Sequence, residues 1–264
     1  MESIVQYYEI VDEELRFKRN SRKIEFITSI YALTALIPEK SKILDLGAGT
    51  GVYSFHFAEQ GHKVTALDLT PRNIEAIHTK IMHQEGIQLE AVVGDATDLT
   101  RFDSGTFDVV LCFGPYYHII DSDRQTKLIE ESLRVLREGG ILAIAYINKF
   151  SVVPMLAKKI PEYLTKSTIN KVISDGNLKG NDPDSFWIDS HYTSPAEVES
   201  LMNAYPIRMI DHLGTDGLSH TLSEEIDKLS EEQYQTWMEY HLSTCREASI
   251  LGISSHGLYI CFKL

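Results

Sequence analysis

Residues 42–51 read Lys42-Ile-Leu-Asp-Leu-Gly-Ala-Gly-Thr-Gly51, an apolar strand pattern that runs into three glycines at alternate positions. Glycine has no side chain, so the backbone can turn sharply there and a ligand can approach it closely. The apolar segment 52–60 predicts a helix whose first N–H groups would point at the same ligand. The pattern therefore predicts a ligand site at the carboxyl end of a strand.

Strand and helix patterns alternate over the rest of the chain, which is typical of βαβ units and a parallel sheet. The predicted strands are 43–46, 63–67, 89–93, 107–113, 141–147, 207–212 and 258–262. The predicted helices are 52–60, one that starts at Pro71 after Thr70, 127–137, 195–203 and a long one within 222–245. Glu138, Gly139 and Gly140 predict a helix stop and a tight turn before the fifth strand.

A chain of 264 residues with 43% hydrophobic residues is expected to form a single α/β domain. We divide it into four parts. They are an N-terminal helical cap (1–38), a ligand-binding core (39–147), an insertion or lid (148–195) and a C-terminal completion of the sheet (196–264).

The net charge of −13 disfavours DNA or RNA binding, because most of the surface would repel phosphate. Basic residues do cluster near the N-terminus, but carboxylates and hydrophobic residues interrupt them, so we interpret the cluster as a solvated helix face. Its members are Arg16, Lys18, Arg19, Arg22 and Lys23.

We expect a cytoplasmic protein, because no uncharged apolar run reaches about 18 residues and residue Met1 does not begin a secretory signal pattern. Cys112, Cys245 and Cys261 lie far apart without paired spacing, so they are predicted to be buried or neutral thiols. The histidines form no ligand pair with a third partner, and we expect no metal site.

The spacing of carboxylates around the glycines indicates which ligand binds. Asp68 follows Gly47 by about 20 residues, where a carboxylate at the end of the second strand reaches ribose hydroxyls. The pattern Gly-x-Gly-x-Gly followed by Val52 departs from the Gly-x-Gly-x-x-Gly of dinucleotide sites. Asp45 would suit the amino group of an amino-acid tail better than a pyrophosphate. S-adenosylmethionine combines these features.

Four motifs resemble, in order and spacing, those of class I S-adenosylmethionine-dependent methyltransferases. They are Ile43-Leu-Asp-Leu-Gly-Ala-Gly-Thr-Gly51, Val64-Thr-Ala-Leu-Asp68, Val93-Gly-Asp-Ala96 and Phe107-Asp-Val-Val-Leu-Cys-Phe113. The resemblance covers roughly residues 40–147. It implies a Rossmann-like, doubly wound sheet of seven strands, mostly parallel, with an antiparallel last strand. Two further segments, Phe113-Gly-Pro-Tyr-Tyr-His118 and Ser255-His-Gly-Leu-Tyr-Ile260, resemble a bacterial small-molecule subgroup.

The resemblance also implies roles for individual residues. The methionine part would lie against Asp45 and the backbone of Gly47, Ala48, Gly49 and Gly51. Asp68 would hold the ribose hydroxyls and Leu69 one face of adenine. Asp95 would accept a hydrogen bond from the adenine amino group, the N–H of Ala96 would donate to a ring nitrogen, and Phe113 would lie beside the methyl group.

A small-molecule methyl acceptor is expected next to Phe113, and the protein is expected to be a monomer or a homodimer. The candidate acceptor residues are Tyr116, Tyr117, His118 and His191. His118 is the candidate general base, because the ordinary pKa of histidine lies near neutral pH. The alternative is a histidine that only hydrogen-bonds a loop carbonyl. Tyr7 and Tyr8 are candidates to fold over the cofactor.

Three other functions stay open at this stage. Gly114-Pro-Tyr-Tyr loosely resembles the motif with which nucleic-acid amino methyltransferases grip a flipped base, although the acidic surface disagrees. A catalytically silent S-adenosylmethionine-binding regulator would share the same cofactor residues. A nicotinamide-dependent oxidoreductase is disfavoured by the glycine spacing.

Overall fold

The structure, a computed structural model, describes residues 2–10 and 19–264. Two members of the basic cluster, Arg16 and Lys18, therefore lie outside the described residues, as does part of the proposed N-terminal cap. The strands are β1 (Lys42–Leu46), β2 (Lys63–Asp68), β3 (Gln88–Val93), β4 (Phe107–Cys112), β5 (Leu136–Asn148), β6 (Asn177–Leu178), β7 (Ser190–Thr193), β8 (Ile207–Gly214) and β9 (His256–Lys263).

Seven of these strands form the main sheet, in the order β3-β2-β1-β4-β5-β9-β8. The first five run parallel, whereas β9 is antiparallel to both β5 and β8. The prediction of a Rossmann-like, mostly parallel sheet with an antiparallel last strand is confirmed. The remaining strands were not predicted: β7 pairs in parallel with the last two residues of β5, and β6 is antiparallel to β7.

Helices cover both faces of the sheet. The α-helices are α1 (Glu2–Tyr8), α2 (Asn20–Thr34), α3 (Val52–Glu59), α4 (Pro71–Ile81), α5 (Pro115–His118), α6 (Ser122–Val135), α7 (Lys149–Lys159), α8 (Lys166–Asn170), α9 (Pro195–Met202), α10 (Ser223–Ile226), α11 (Glu231–Thr244) and α12 (Ala248–Ile253). A 3-10 turn at Pro161–Tyr163 and a π turn at Lys171–Asp175 complete the segment that follows β5.

The prediction for α6 was wrong at both ends. The helix begins at Ser122, five residues before the predicted start, because the side chain of Asp121 accepts a hydrogen bond from the N–H of Arg124 and caps it. It ends at Val135, and β5 starts at the next residue. Gly139 and Gly140 therefore lie within an irregular strand, beside a register shift in its pairing with β4, and not in a turn before it.

The long helix predicted within 222–245 is two helices. The chain leaves α10 after Ile226 and starts α11 at Glu231. Ser230 and Gln233 form a capping box there, in which each side chain bonds the other residue's backbone N–H. Leu222, Ile226 and Leu229 keep a helical spacing across the break, so the apolar pattern alone did not reveal it.

Buried apolar side chains form one core on each face of the sheet. All three cysteines are buried and free, as predicted. Burial raises the pKa of Cys112, in β4, and of Cys261, in β9, to about 12. These thiols are protonated core residues and not nucleophiles.

Candidate functional site

The carboxyl ends of four neighbouring strands open into one cavity. Gly47 and Gly49 follow β1, Asp68 and Leu69 end β2, Asp95 and Ala96 follow β3, and Phe113 and Gly114 follow β4; all eight line the cavity. The space between the lining atoms, counted to the open mouth, is about 960 Å³. Parallel strands place their carboxyl ends on one edge, and that edge is where ligands bind in doubly wound sheets.

Glycine is required at 47 and 49 for two different reasons. The backbone φ of Gly47 is +71°, and an added Cβ would lie 2.6 Å from Cδ of Pro115, so this glycine permits close packing of the two loops. The φ of Gly49 is +55°, and an added Cβ would meet no atom of the described residues within 4 Å. That Cβ position is open space in the cavity wall. Gly51 does not line the cavity, because it packs on Phe55 and Ile77.

Asp68 is held rigidly at the edge of the cavity. Its Oδ1 accepts hydrogen bonds from the N–H of Thr70 at 2.8 Å and from Asn73 Nδ2 at 3.1 Å. Its Oδ2 accepts one from the N–H of Gly49 at 2.8 Å. Burial raises the pKa of Asp68, against the lowering effect of these donors. A carboxylate oxygen has about two acceptor positions, so Oδ2 can accept one more hydrogen bond from a ligand.

Asp45 lies beneath the glycine loop and does not line the cavity. It is 1% exposed, and its Oδ2 accepts a hydrogen bond from Ser54 Oγ at 2.6 Å. Burial, together with the nearby charge of Asp68, raises the pKa of Asp45 to about 6, although the Ser54 hydroxyl opposes the shift. The structure places Ala48 in the same loop, half-buried and outside the lining.

Asp95 is paired with a residue that sequence reasoning missed. Arg124 Nη2 lies 2.8 Å from Asp95 Oδ2, and both side chains line the cavity. The other carboxylate oxygen accepts from the N–H and the hydroxyl of Thr97, both at 2.9 Å. Arg124 belongs to the first turn of α6, which we predicted to start later, so the sequence offered no reason to bring it to this site.

Tyr117 and His118 also line the cavity, together with Tyr8 from α1. His118 Nε2 lies 2.9 Å from Tyr8 Oη, and His118 Nδ1 lies 3.1 Å from the carbonyl oxygen of Asp189. The ring of Trp187 meets that of His118 edge-on, with centroids 5.1 Å apart. Tyr7 contacts Tyr8 and Trp187 but is not among the lining residues.

Tyr116 and His191 lie together in a second cleft, lined also by Lys149 and Glu197, and not in the main cavity. Their rings meet edge-on with centroids 5.5 Å apart. His191 Nδ1 lies 2.9 Å from Asn177 Oδ1, and burial lowers the pKa of His191 to about 4. The short helix α5 separates the clefts: it turns Tyr116 to one side and the two residues after it to the other.

Neither a metal cluster nor a membrane-spanning helix is found among the described residues. Over residues 2–10 and 19–264, no group of three or more His, Cys, Asp or Glu side chains is placed to hold a metal ion. Within the same ranges, no helix has the length and apolar character needed to cross a membrane.

Sequence comparison assigns a family to the central part of the chain. A family described as a methyltransferase domain matches residues 43–140. The ubiquinone biosynthesis O-methyltransferase of Xanthomonas axonopodis pv. citri is 29% identical over 136 residues, which are 52% of this chain and 55% of that protein. The chain thus spans about half the length of the curated relatives it matches.

Structure comparison extends the likeness to most of the chain. A SAM-dependent methyltransferase from Methanosarcina mazei superposes with a TM-score of 0.61 at 20% identity, covering 88% of this chain and 97% of that one. The cyclase SpnF superposes with a TM-score of 0.56 at 14% identity, covering 90% and 80%. At these identities the likeness establishes the fold.

Proposed function

The chain carries a class I S-adenosylmethionine-dependent methyltransferase domain, and we propose that it transfers the methyl group of S-adenosylmethionine to a small-molecule acceptor. The observation that carries the proposal is the cavity at the ends of β1 to β4, in which a glycine turn, a ribose-type carboxylate and an aromatic wall adjoin. The ubiquinone biosynthesis enzyme among the relatives supports a small acceptor.

The residues present fit this cofactor. The empty Cβ position of Gly49 leaves room for the methionine part against the loop, and Asp68 Oδ2 can accept a ribose hydroxyl. Leu69 would pack against adenine, and Asp95 with the N–H of Ala96 would meet its polar edge. Phe113 would lie beside the methyl group. Asp45 would act on the amino group through its negative charge from below the loop.

When bound, S-adenosylmethionine would supply a methyl group already activated on a sulfonium. The chain's own work is then to position the acceptor in line with that carbon, since alignment removes a large entropic part of the barrier. Aromatic rings at Phe113 and Tyr117 would favour the positive sulfonium through cation–π attraction. Tyr116 and His191, which face the second cleft, would act on the shape of α5 and not on the acceptor.

Binding calorimetry tests the cofactor, with S-adenosylhomocysteine and NAD as the two ligands. We expect micromolar or tighter binding of S-adenosylhomocysteine and no binding of NAD; the reverse result overturns the proposal. Transfer of a radiolabelled methyl group to a panel of phenols, amines, thiols and small acids then tests the activity and identifies an acceptor class.

A second candidate is a protein that binds the cofactor without methyl transfer. The structural likeness to the cyclase SpnF favours it, since that protein is named for a different reaction on the same fold. Tight binding of S-adenosylhomocysteine, combined with no transfer to any member of the panel, would support this candidate. Nucleic-acid methylation has weaker support, because the net charge of −13 opposes a phosphate backbone.

A further inference from the structure

The wall of the main cavity carries more negative than positive side chains. Four aspartates line it, and Arg124 is the one arginine or lysine among the described lining residues. The guanidinium of Arg124 lies 2.8 Å from the carboxylate of Asp95, so these two charges offset each other. The remaining three carboxyl groups belong to Asp68, Asp121 and Asp189. This excess of negative charge does not depend on which hydrogen bonds the groups make.

Asp189 lies at the opposite side of the cavity from the proposed cofactor subsites. The sheet order β3-β2-β1-β4-β5-β7 ends at β7, and Asp189 directly precedes β7. Asp68 and Asp95 belong to the ends of β2 and β3. Asp121 caps α6, the helix whose Arg124 reaches Asp95, so it lies on the adenine side. With ribose at Asp68 and adenine at Asp95, Asp189 is the carboxyl group nearest the space left for the acceptor.

Asp189 is fixed in place by two contacts. Its Oδ1 accepts a hydrogen bond from the N–H of Gly180 at 2.8 Å, within the lid. Its carbonyl oxygen lies 3.1 Å from Nδ1 of His118, which itself lines the cavity. The negative charge of Asp189 therefore has a constant place at this side of the cavity.

Much of the rest of the wall is apolar or aromatic, and it increases the effect of these charges. A space of about 960 Å³ is about 12 Å across, and the screening length at physiological salt is about 8 Å, so a bound acceptor lies within the field of the wall. Apolar surroundings weaken the field less than water does. The apolar and aromatic lining residues include Ile4, Phe113, Pro115, Tyr117, Ile119 and Ile120.

We propose that this wall restricts the acceptor to neutral or cationic molecules with an apolar body, and that Asp189 is the specificity-determining residue that excludes a carboxylate; this inference rests on the proposed function. A carboxylate on the acceptor would meet like charge and would lose part of its hydration against the apolar wall. An ammonium group remote from the methylated atom would meet opposite charge. S-adenosylmethionine itself carries a net positive charge, so the same wall favours the cofactor.

The acceptor panel tests this charge rule when each phenol, amine and thiol is offered in three forms that differ at one remote group. For the phenols these are 4-hydroxyphenylacetate, 4-hydroxyphenylacetamide and tyramine, which end in a carboxylate, a carboxamide and an ammonium group. In whichever series is methylated, we expect kcat/KM for the carboxylate form to be about tenfold below that of the carboxamide form, equivalent to about 1.4 kcal/mol. Raising NaCl from about 0.05 M to about 0.5 M should narrow the difference, because salt screens the charges.

Asp189→Asn tests the residue assigned to this selection. The new amide keeps an oxygen for the N–H of Gly180 and leaves the backbone carbonyl unchanged, so the fold is retained. The preference for the carboxamide form should fall from about tenfold to about threefold, with S-adenosylhomocysteine affinity unchanged. Asp175→Asn is the matched control, because Asp175 is an exposed carboxylate of the same lid that lines the second cleft and not the main cavity. It should keep the full preference.

The outcomes separate the two proposals. If the carboxylate form is methylated as efficiently as the carboxamide form, the charge rule is wrong while the methyltransferase function stands. If Asp189→Asn keeps the same preference as Asp175→Asn, the assignment of Asp189 is wrong. If the unchanged protein binds S-adenosylhomocysteine but methylates no member of any series, the proposed function itself fails.

Discussion

Two buried carboxylates have contrasting surroundings, one just after the C-terminal strand β8 and one in β1, beneath the glycine loop. Asp216, just after β8, is 5% exposed, and Asp45, in β1, is 1% exposed. Asp216 Oδ1 accepts from Ser254 Oγ at 2.7 Å and from the N–H groups of Ser255 and His256 at 2.8 and 3.0 Å. Its Oδ2 lies 2.9 Å from His256 Nδ1.

The donors decide the ionisation of each group. Burial alone would raise the pKa of Asp216, but the charge of His256 and the hydrogen bonds around the carboxylate hold it well below its ordinary range. Burial, with the repulsive charge of Asp68, raises the pKa of Asp45 to about 6, because the Ser54 hydroxyl offsets only part of the shift. Asp216 stabilises the junction of β8 and β9. The ionised form of Asp45 is destabilised by its surroundings, and perturbed carboxyl groups of this kind are common at functional sites.

The largest expected effect comes from removing the Asp216 carboxylate, whose two oxygens already have four hydrogen-bond partners. Asp216→Ala removes the acceptor of the N–H groups of Ser255 and His256 and breaks the contact with the His256 ring, although Ser254 Oγ keeps the carbonyl oxygen of His256 at 2.8 Å, so the free energy of unfolding should fall by about 3–5 kcal/mol. Urea denaturation at pH 7.5 measures it, with the exposed Glu239→Ala as control, expected within about 0.5 kcal/mol.

The pH dependence of the same variant follows from the lowered pKa. A folded-state pKa below the unfolded value of 3.8 gives stability that is present above pH 3.8 and is lost as the pH falls through the folded pKa. The deficit of Asp216→Ala should therefore shrink below about pH 3.8. If Asp216→Ala lowers the free energy of unfolding by less than about 1 kcal/mol at pH 7.5, the carboxylate does not stabilise the junction of β8 and β9.

Asp68→Asn tests the carboxylate that lies between the two extremes. Its three protein donors resemble those of Asp216, but Oδ2 keeps one acceptor position toward the cavity. The amide introduced at position 68 would have only one oxygen that can accept hydrogen bonds, whereas both oxygens of Asp68 accept them. The affinity for S-adenosylhomocysteine should therefore fall by about 100-fold, equivalent to about 2.7 kcal/mol. Calorimetry measures it, with the exposed Asp103→Asn as control; equal affinities would mean that the ribose does not bind there.

A matched pair of glycines separates backbone strain from cofactor contact. Gly49 and Gly61 both have positive φ, +55° and +87°, and within the described part of the chain an added Cβ meets no atom closer than 4 Å at either position. Each substitution by alanine should therefore cost about 1 kcal/mol of stability. Only Gly49→Ala should weaken S-adenosylhomocysteine binding, by about tenfold, because only Gly49 lines the cavity. Equal binding by both variants would place the ligand away from this loop.

Local sequence pattern predicted the parts of the site that follow directly from strand ends. Gly47, Asp68 and Asp95 needed only the period of the strands and the rule that ligands bind at their carboxyl ends. The strand pattern gave no place to Arg124, and it could not choose between Tyr7 and Tyr8, the two candidates to fold over the cofactor. Their places depend on the packing of α1 over the cavity and on the cap that starts α6 early, and neither leaves a periodic signal in the sequence.

The same limit applies to direction within a short helix. Tyr116 and Tyr117 are adjacent in sequence, yet α5 turns them into different clefts. His191 lies beside Tyr116 because β7 pairs with the end of β5. This pairing involves only two residues on each strand, and no strand pattern in the sequence predicted it. Contacts between distant segments of this kind are set by the tertiary fold alone.

Asp45→Asn gives the smallest effect and the opposite sign to Asp216→Ala. A pKa of about 6 against 3.8 corresponds to about 3 kcal/mol of cost for the ionised form, but a new amide N–H also needs a partner. We expect a net gain of about 1 kcal/mol in unfolding free energy at pH 7.5, by urea denaturation, and weaker S-adenosylhomocysteine binding because the charge is lost.

The pH profile of Asp45→Asn identifies the source of the gain. Folded Asp45 holds its proton up to about pH 6, whereas the unfolded carboxyl releases it near 3.8, so the stability of the unchanged protein should fall as the pH rises through this window. The variant lacks that slope, so the two curves should cross within the window, with the unchanged protein the more stable at about pH 4 and the variant the more stable above about pH 6. If Asp45→Asn is instead less stable than the unchanged protein at pH 7.5, the ionised Asp45 is stabilised by its hydrogen bonds, as Asp216 is.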